Sequence, residues 1–304
     1  MQPETNKIRF TAGPLLIIIA ALLWGLDGIL RRSLYGLPPI TIVFFEHLFG
    51  LIIILPFIWK QFRTERLTRK EWAMIILVSL LSGLLGTLFF TKALLATGFI
   101  SFSVVYLLQK LQPIFAVSTA RIFLKEKMKG VYFLWAFIAL AAAYFVTFPG
   151  GIVNFATGAG TLSAALFALG AAFCWGSSTT FSKIALRNHP AAFTTGLRFF
   201  ITSVMAFVAI MIFGFSPSLG SLAVPQFGAL VAIALSTGMV ALLIYYKGLK
   251  NTPVSVSTIL ELFYPLVAVL IDIFLYHNVL AISQYVAAAI LLYAMYRVSK
   301  ISNR

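Results

Sequence analysis

Five ionisable residues stand inside long apolar runs of this 304-residue chain: Asp27, Glu46, Lys110, Arg198 and Glu261. A charged side chain at the centre of a membrane helix costs about 2.5–3.5 kcal/mol on insertion scales. Facing lipid, the five would together oppose insertion by roughly 12–18 kcal/mol. They must therefore face one another or a water-filled cavity, with His47 beside Glu46 as a further titratable group. Carboxylates in such a place take a proton or a cationic group, and an arginine holds a carboxylate or phosphate bidentately. This is the chemistry of binding rather than of bond making. The sequence holds no Walker motif, no metal-spaced His pair and no nucleophile set in a plausible loop. One cysteine, Cys174, and three scattered histidines, His47, His189 and His277, give no metal cluster. The expectation is a non-enzyme without cofactor or metal.

Each candidate has a functional and a structural reading. Asp27 follows Trp24 by three residues and precedes Arg31 by four, so all three share one helix face. Asp27 is either a cavity carboxylate or the partner of Arg31 in an intrahelical pair. Glu46 and His47 point about 100° apart; His47 is either a proton site or a histidine satisfied by one neighbour. Arg198 either clamps a substrate anion or neutralises Glu46. Lys110 and Glu261 each stand shortly before a proline, Pro113 and Pro265. They suggest an ion pair between the two halves of the chain, a site where substrate competes for one partner, or a simple kink. Trp24, Tyr106, Trp175, Tyr245 and Tyr264 are the aromatic candidates for the same cavity, against a packing role. Lys92, Arg121, Lys183, Lys247 and Asp272 lie near run ends, where snorkelling is the default.

The elements that must position these residues follow from composition. The chain is 61% hydrophobic and 10% charged, against about 25% charged for soluble domains. That excludes a soluble globular protein, and 29 Phe exclude disorder and collagen. Ten runs reach the length of about 20 residues a spanning helix needs: 12–35, 40–59, 71–95, 100–124, 130–149, 161–187, 191–214, 225–248, 254–276 and 279–298. Helices are expected because lipid cannot satisfy an open sheet edge. The first run is too long for a signal peptide and is kept as a span. Lys60, Arg63, Arg66, Arg69, Lys70, Lys125, Lys127, Lys129, Lys247 and Lys250 fall on one set of loops, while 149–160 and 215–225 carry no Lys or Arg. The rich side is cytoplasmic. Both termini then lie inside, as an even number of spans requires. The net charge of +15 is read as membrane orientation, so no nucleic-acid partner is expected.

The chain also repeats itself. Ala21-Leu22-Leu23-Trp24-Gly25 returns as Ala172-Phe173-Cys174-Trp175-Gly176, an offset of 151 that also places Pro39 on Pro190, Arg32 on Lys183 and His47 on Arg198. Leu107 to Pro113 resembles Ile259 to Pro265 at offset 152. Two halves, 1–150 and 151–304, with five spans each must insert upside-down relative to one another. Such inverted repeats open a central site alternately to either side. Small residues crowd the fifth, sixth and tenth runs and let helices approach closely.

In length, in ten spans, in the Trp-Gly pairs, in Leu197-Arg198-Phe199-Phe200, in Pro113 and Pro265, and in Leu124-Lys125-Glu126-Lys127, the chain resembles the EamA-type branch of the drug/metabolite transporter superfamily. Tyr276-His277-Asn278 stands where that family usually has Gly-Glu, and Glu46-His47 where a single Arg is common. The resemblance implies an all-α integral membrane protein of the cell membrane (a bacterial or archaeal inner membrane), with a self-association role open for the fifth and tenth helices as a homodimer. The function expected is secondary transport of small polar metabolites by alternating access, with amino-acid-like or amine-like substrates and export favoured, and the proton a candidate coupling ion. A passive uniporter or channel-like facilitator, and a non-transporting receptor or assembly subunit, are the alternatives.

Overall fold

The computed structural model describes residues 12–34, 36–96, 103–153, 160–274 and 281–302, and every regular element among them is helical. The chain order is α1 (Ala12–Arg31, with a turn at Leu26), α2 (Pro39–Ile58), α3 (Arg69–Ala96), α4 (Ser103–Gln109 and Gln112–Thr119), α5 (Gly130–Thr147), α6 (Thr161–Ala185), α7 (Ala191–Ile212), α8 (Val224–Leu235 and Met239–Lys250), α9 (Val254–Leu260 and Tyr264–Phe274) and α10 (Ile282–Ser302). Among the described residues seven helices, α1, α2, α3, α5, α6, α7 and α8, are long and apolar enough to cross a bilayer. The runs expected as continuous spans at 100–124 and 254–276 are interrupted helices instead, each broken beside its proline.

Local chemistry sets many of the ends. Proline occupies the first or second position of α2 and α8, where a missing N–H costs nothing. Thr68 and Glu71 close a reciprocal capping box at the start of α3. Glu126 accepts from the Val254 and Ser255 amides at 2.8 and 3.1 Å, capping the N-terminus of α9 from the loop after α4. Lys183 does not snorkel: its ammonium donates to the carbonyls of Leu249, Lys250 and Thr252, capping the end of α8.

Helix α2 packs on α7, and α5 on α10. The last pair buries Ala139, Ala143 and Val146 against Ala287, Leu291, Ala294 and Val298, so its small residues serve contact within the chain. Helix α1 lies against α8 and α9, and α6 against α3 and α4. Two glycines beside the repeated tryptophans allow those approaches. A Cβ on Gly25 would stand 2.5 Å from Val267 of α9, and one on Gly176 would stand 2.5 Å from the Gln112 carbonyl of α4.

Candidate functional site

A cavity of about 220 Å³ lies between α1, α2, α3, α4, α6, α7, α8 and α9. Trp24, Asp27, Glu46, His47, Lys110, Trp175, Arg198, Tyr245, Glu261 and Tyr264 all reach its wall. The side chain of Tyr106 lies outside the described part of the structure, as do those of Asp272, Tyr276, His277 and Asn278.

Helix irregularities aim these residues inward. Pro113 and Pro265 cannot donate the amide hydrogen that an α-helix gives to the carbonyl four residues earlier; the Glu261 carbonyl accepts the Tyr264 N–H instead, in a tighter turn. The chain turns at Lys110 and Leu111 in α4, and tightens to a 3₁₀ turn over Glu261–Phe263 in α9. In α8 the break at Ser236, Thr237 and Gly238 exposes the Thr237 side chain to the cavity. In α3 the helix widens to a π-helical stretch over Ser79–Gly86, within which the Ser82 carbonyl accepts the Trp175 indole N–H at 3.1 Å and the Thr87 hydroxyl at 3.2 Å.

Three polar networks result. In the first, Arg31 is ion-paired with Asp27 through Nε and with Glu46 through Nη2 at 2.8 Å. Thr237 donates to the other oxygen of Asp27 at 2.6 Å, tying α1, α2 and α8 together. In the second, Arg198 donates from Nη1 to the Tyr246 hydroxyl at 2.9 Å and from Nη2 to Ser82 Oγ at 2.6 Å. Tyr246 Oη also lies 3.1 Å from Ser182 Oγ, so α3, α6, α7 and α8 are linked. In the third, Glu261 accepts from the Tyr245 hydroxyl at 2.6 Å and from Gln112 Nε2 at 2.9 Å.

Two expected pairs are replaced by these networks. Glu46 is neutralised by Arg31, and Arg198 instead meets two neutral hydroxyls. Glu261 meets two neutral donors, and among the described residues Lys110 Nζ has no hydrogen-bond or ion-pair partner. His47 Nδ1 lies 2.8 Å from the Val43 carbonyl, which can only accept, so that nitrogen carries its hydrogen; the ring stacks 4.8 Å from Phe199. The rings of Trp24 and Tyr245 meet at 5.1 Å and those of Trp175 and Phe90 at 5.3 Å, each pair tilted by about 55°.

Sequence reasoning passed over Arg31 as a bridge between helices, along with Ser82, Gln109, Gln112, Thr237, Tyr246 and Thr258, all of which line the cavity. Gln109 and Gln112 carried a usable signal, since two amides flank Lys110 within an apolar run. Arg31 was readable as the partner of Asp27 but not of Glu46, and Ser82, Thr237, Tyr246 and Thr258 are single hydroxyls in apolar helices that carried no signal.

Helices of this length around a cavity lined by aromatic and charged side chains define a multi-pass membrane protein built to hold a small molecule. The model of the EamA-like transporter family matches residues 11–148 and again 162–299, and the chain belongs to that family. It is 38% identical over 298 residues to a protein of Fusobacterium nucleatum subsp. nucleatum named riboflavin transporter ImpX, covering 95% of this chain and 98% of that one. It is 23% identical over 287 residues to an uncharacterized transporter of Bacillus subtilis, YwfM, covering 94% and 93%. A crystal structure of a protein at 16% identity superposes with a TM-score of 0.75 over 97% of this chain and 99% of that one, a likeness of fold. The chain is a membrane transporter, in contact with lipid and acting on a small-molecule substrate.

Proposed function

We propose that this transporter carries a neutral aromatic metabolite rich in hydrogen-bonding groups, with riboflavin the leading substrate. The cavity wall carries the reading. Rings of Trp24, Phe90, Trp175, Tyr245 and Tyr264 surround polar groups most of which already have protein partners. An isoalloxazine offers flat faces for such rings, an imide edge, and a ribityl chain of hydroxyls. Counted in their ordinary ionised forms, Asp27, Glu46 and Glu261 balance Arg31, Lys110 and Arg198, which suits an uncharged ligand. An amino-acid-like zwitterion, favoured from the charges alone, needs free charges of both signs, and here the carboxylates are engaged. The name of the Fusobacterium relative supports the same choice.

In this reading ten spans form two five-helix halves, residues 1–150 and 151–304, inserted in opposite senses with both termini cytoplasmic. The double match of the family model supports it. So do the paired contacts of Gly25 with α9 and Gly176 with α4, which cross from one half to the other. The cavity of about 220 Å³ is smaller than ordinary ligand pockets of about 300–1,000 Å³. A molecule of flavin size then enters only as the halves part, which links binding to alternating access.

The test is counterflow of labelled riboflavin in proteoliposomes preloaded with unlabelled riboflavin. A carrier gives a transient overshoot, competed by flavins and not by amino acids; the absence of any riboflavin flux contradicts the substrate. Flux without overshoot or saturation favours the passive facilitator. Repeating the assay with and without a pH gradient, in wild type and in Asp27→Asn, Glu46→Gln and Glu261→Gln, tests protons as coupling ion. Wild-type gradient dependence in all three variants rules these carboxylates out as the proton site.

A further inference from the structure

Among the described residues, two buried donors at the break of α4 on the cavity wall have no hydrogen-bond acceptor: Gln109 Nε2 and Lys110 Nζ. Lys110 is only 5% exposed. At the break of α9, Glu261, which the repeat aligns with Gln109, has both oxygens bonded. A buried ammonium or amide without a partner is costly, and native proteins keep few of them. On α9 the Thr258 hydroxyl, which also lines the cavity, is buried with no hydrogen-bond partner among the described residues, and Lys110 Nζ lies over the Tyr264 ring, 5.3 Å from its centroid. One donor over a flat ring and a second on the adjacent residue ask for a planar ligand that presents acceptors on its edge.

Resting on the flavin reading above, the geometry points to Gln109 and Lys110 as the subsite that reads the imide edge of the isoalloxazine ring. Lys110 donates to a ring carbonyl, and the Gln109 carboxamide, which both donates and accepts, matches a carbonyl beside the imide N–H. Tyr264 supplies a stacking face. A phosphate would present acceptors to the same donors, but the balanced charge of the cavity favours the neutral carbonyls. Lys110 is then a specificity residue, and the hydrogen bonds it lacks are made when ligand arrives.

The experiment is equilibrium binding to the detergent-purified full chain, read by quenching of flavin fluorescence. The probes are riboflavin, lumiflavin (the ring without the ribityl chain) and riboflavin 5′-phosphate. Lys110→Met is expected to weaken riboflavin and lumiflavin by the same factor, roughly 10- to 100-fold, the loss of one charge-assisted hydrogen bond. Its ligand-free melting temperature stays at or above that of wild type, because an unpaired buried charge has gone. Lys110→Gln, which keeps a donor, retains more affinity than Lys110→Met. Wild-type affinity for lumiflavin in Lys110→Met overturns the assignment. So does a loss confined to riboflavin 5′-phosphate, which makes Lys110 a phosphate ligand. If wild type binds none of the three probes, the flavin reading itself fails, a result distinct from either of these.

Discussion

Lys110 and Glu261 stand at the breaks of α4 and α9, one residue out of register in the sequence repeat, and they do not pair. Glu261 is held by Tyr245 and Gln112 at 2.6 and 2.9 Å, while Lys110 Nζ has no hydrogen-bond partner among the described residues. The asymmetry separates a residue that braces the wall from one that faces the cavity. Replacing Glu261 with Gln turns one acceptor into a donor that meets Tyr245 or Gln112. The expected cost is about 1–3 kcal/mol, read as a lowered melting temperature of the purified protein. Lys110→Met lowers no melting temperature.

Arg31 is the common partner of Asp27 and Glu46. Its side chain is 6% exposed, and those of Asp27 and Glu46 are 15% and 8% exposed. Arg31→Leu leaves two carboxylates against one another with no cation. It is expected to cost about 3–5 kcal/mol, whereas leucine at all three positions recovers most of the loss. Thermal unfolding of the single and triple variants checks the pair of outcomes. Equal stability of the two would show that the triad does not act as a unit.

Gly176 and Gly130 make a matched test of close packing. A Cβ at Gly176 meets the Gln112 carbonyl at 2.5 Å and Phe115 at 2.9 Å, while one at Gly130 meets nothing within 4 Å. Gly176→Ala should destabilise by about 1–3 kcal/mol and disturb the α4 break beside the cavity. Gly130→Ala should be neutral or slightly stabilising, since alanine suits a helix better than glycine. Melting temperatures of both variants decide it.

Glu126 caps α9 through two backbone amides. Glu126→Ala removes both bonds, with an expected cost of about 1 kcal/mol. Faster amide hydrogen exchange at Val254 and Ser255 is the local signature, and unchanged exchange at those two sites contradicts the cap.

The sequence made the all-helical membrane class readable because lipid allows so few solutions. Apolar runs of spanning length can hardly be anything but helices, and buried charges have nowhere to go except inward. That is why Asp27, Glu46, Lys110, Arg198 and Glu261 were recognisable as wall residues before any contact was known. Their partners were not. Arg31 lies four residues after Asp27, so one of its bonds was foreseeable, but the reach to Glu46 depends on how α1 and α2 cross. Whether Arg198 meets Glu46 or Tyr246 depends on rotations that periodicity does not carry. The breaks had a visible cause in Pro113 and Pro265, whereas the break in α8 has no proline; its residues Ser236, Thr237 and Gly238 are ordinary in an apolar run.

The central claim is that one cavity serves both faces of the membrane and closes around a flavin. Ser178 lines that cavity, and Cys174 is the single native cysteine. In a Cys174→Ser background, Ser178→Cys can be labelled with a membrane-impermeant thiol reagent in right-side-out and in inside-out vesicles. The account predicts labelling from both faces, slowed from both by riboflavin. Labelling from one face only, at a rate that riboflavin leaves unchanged, would contradict it.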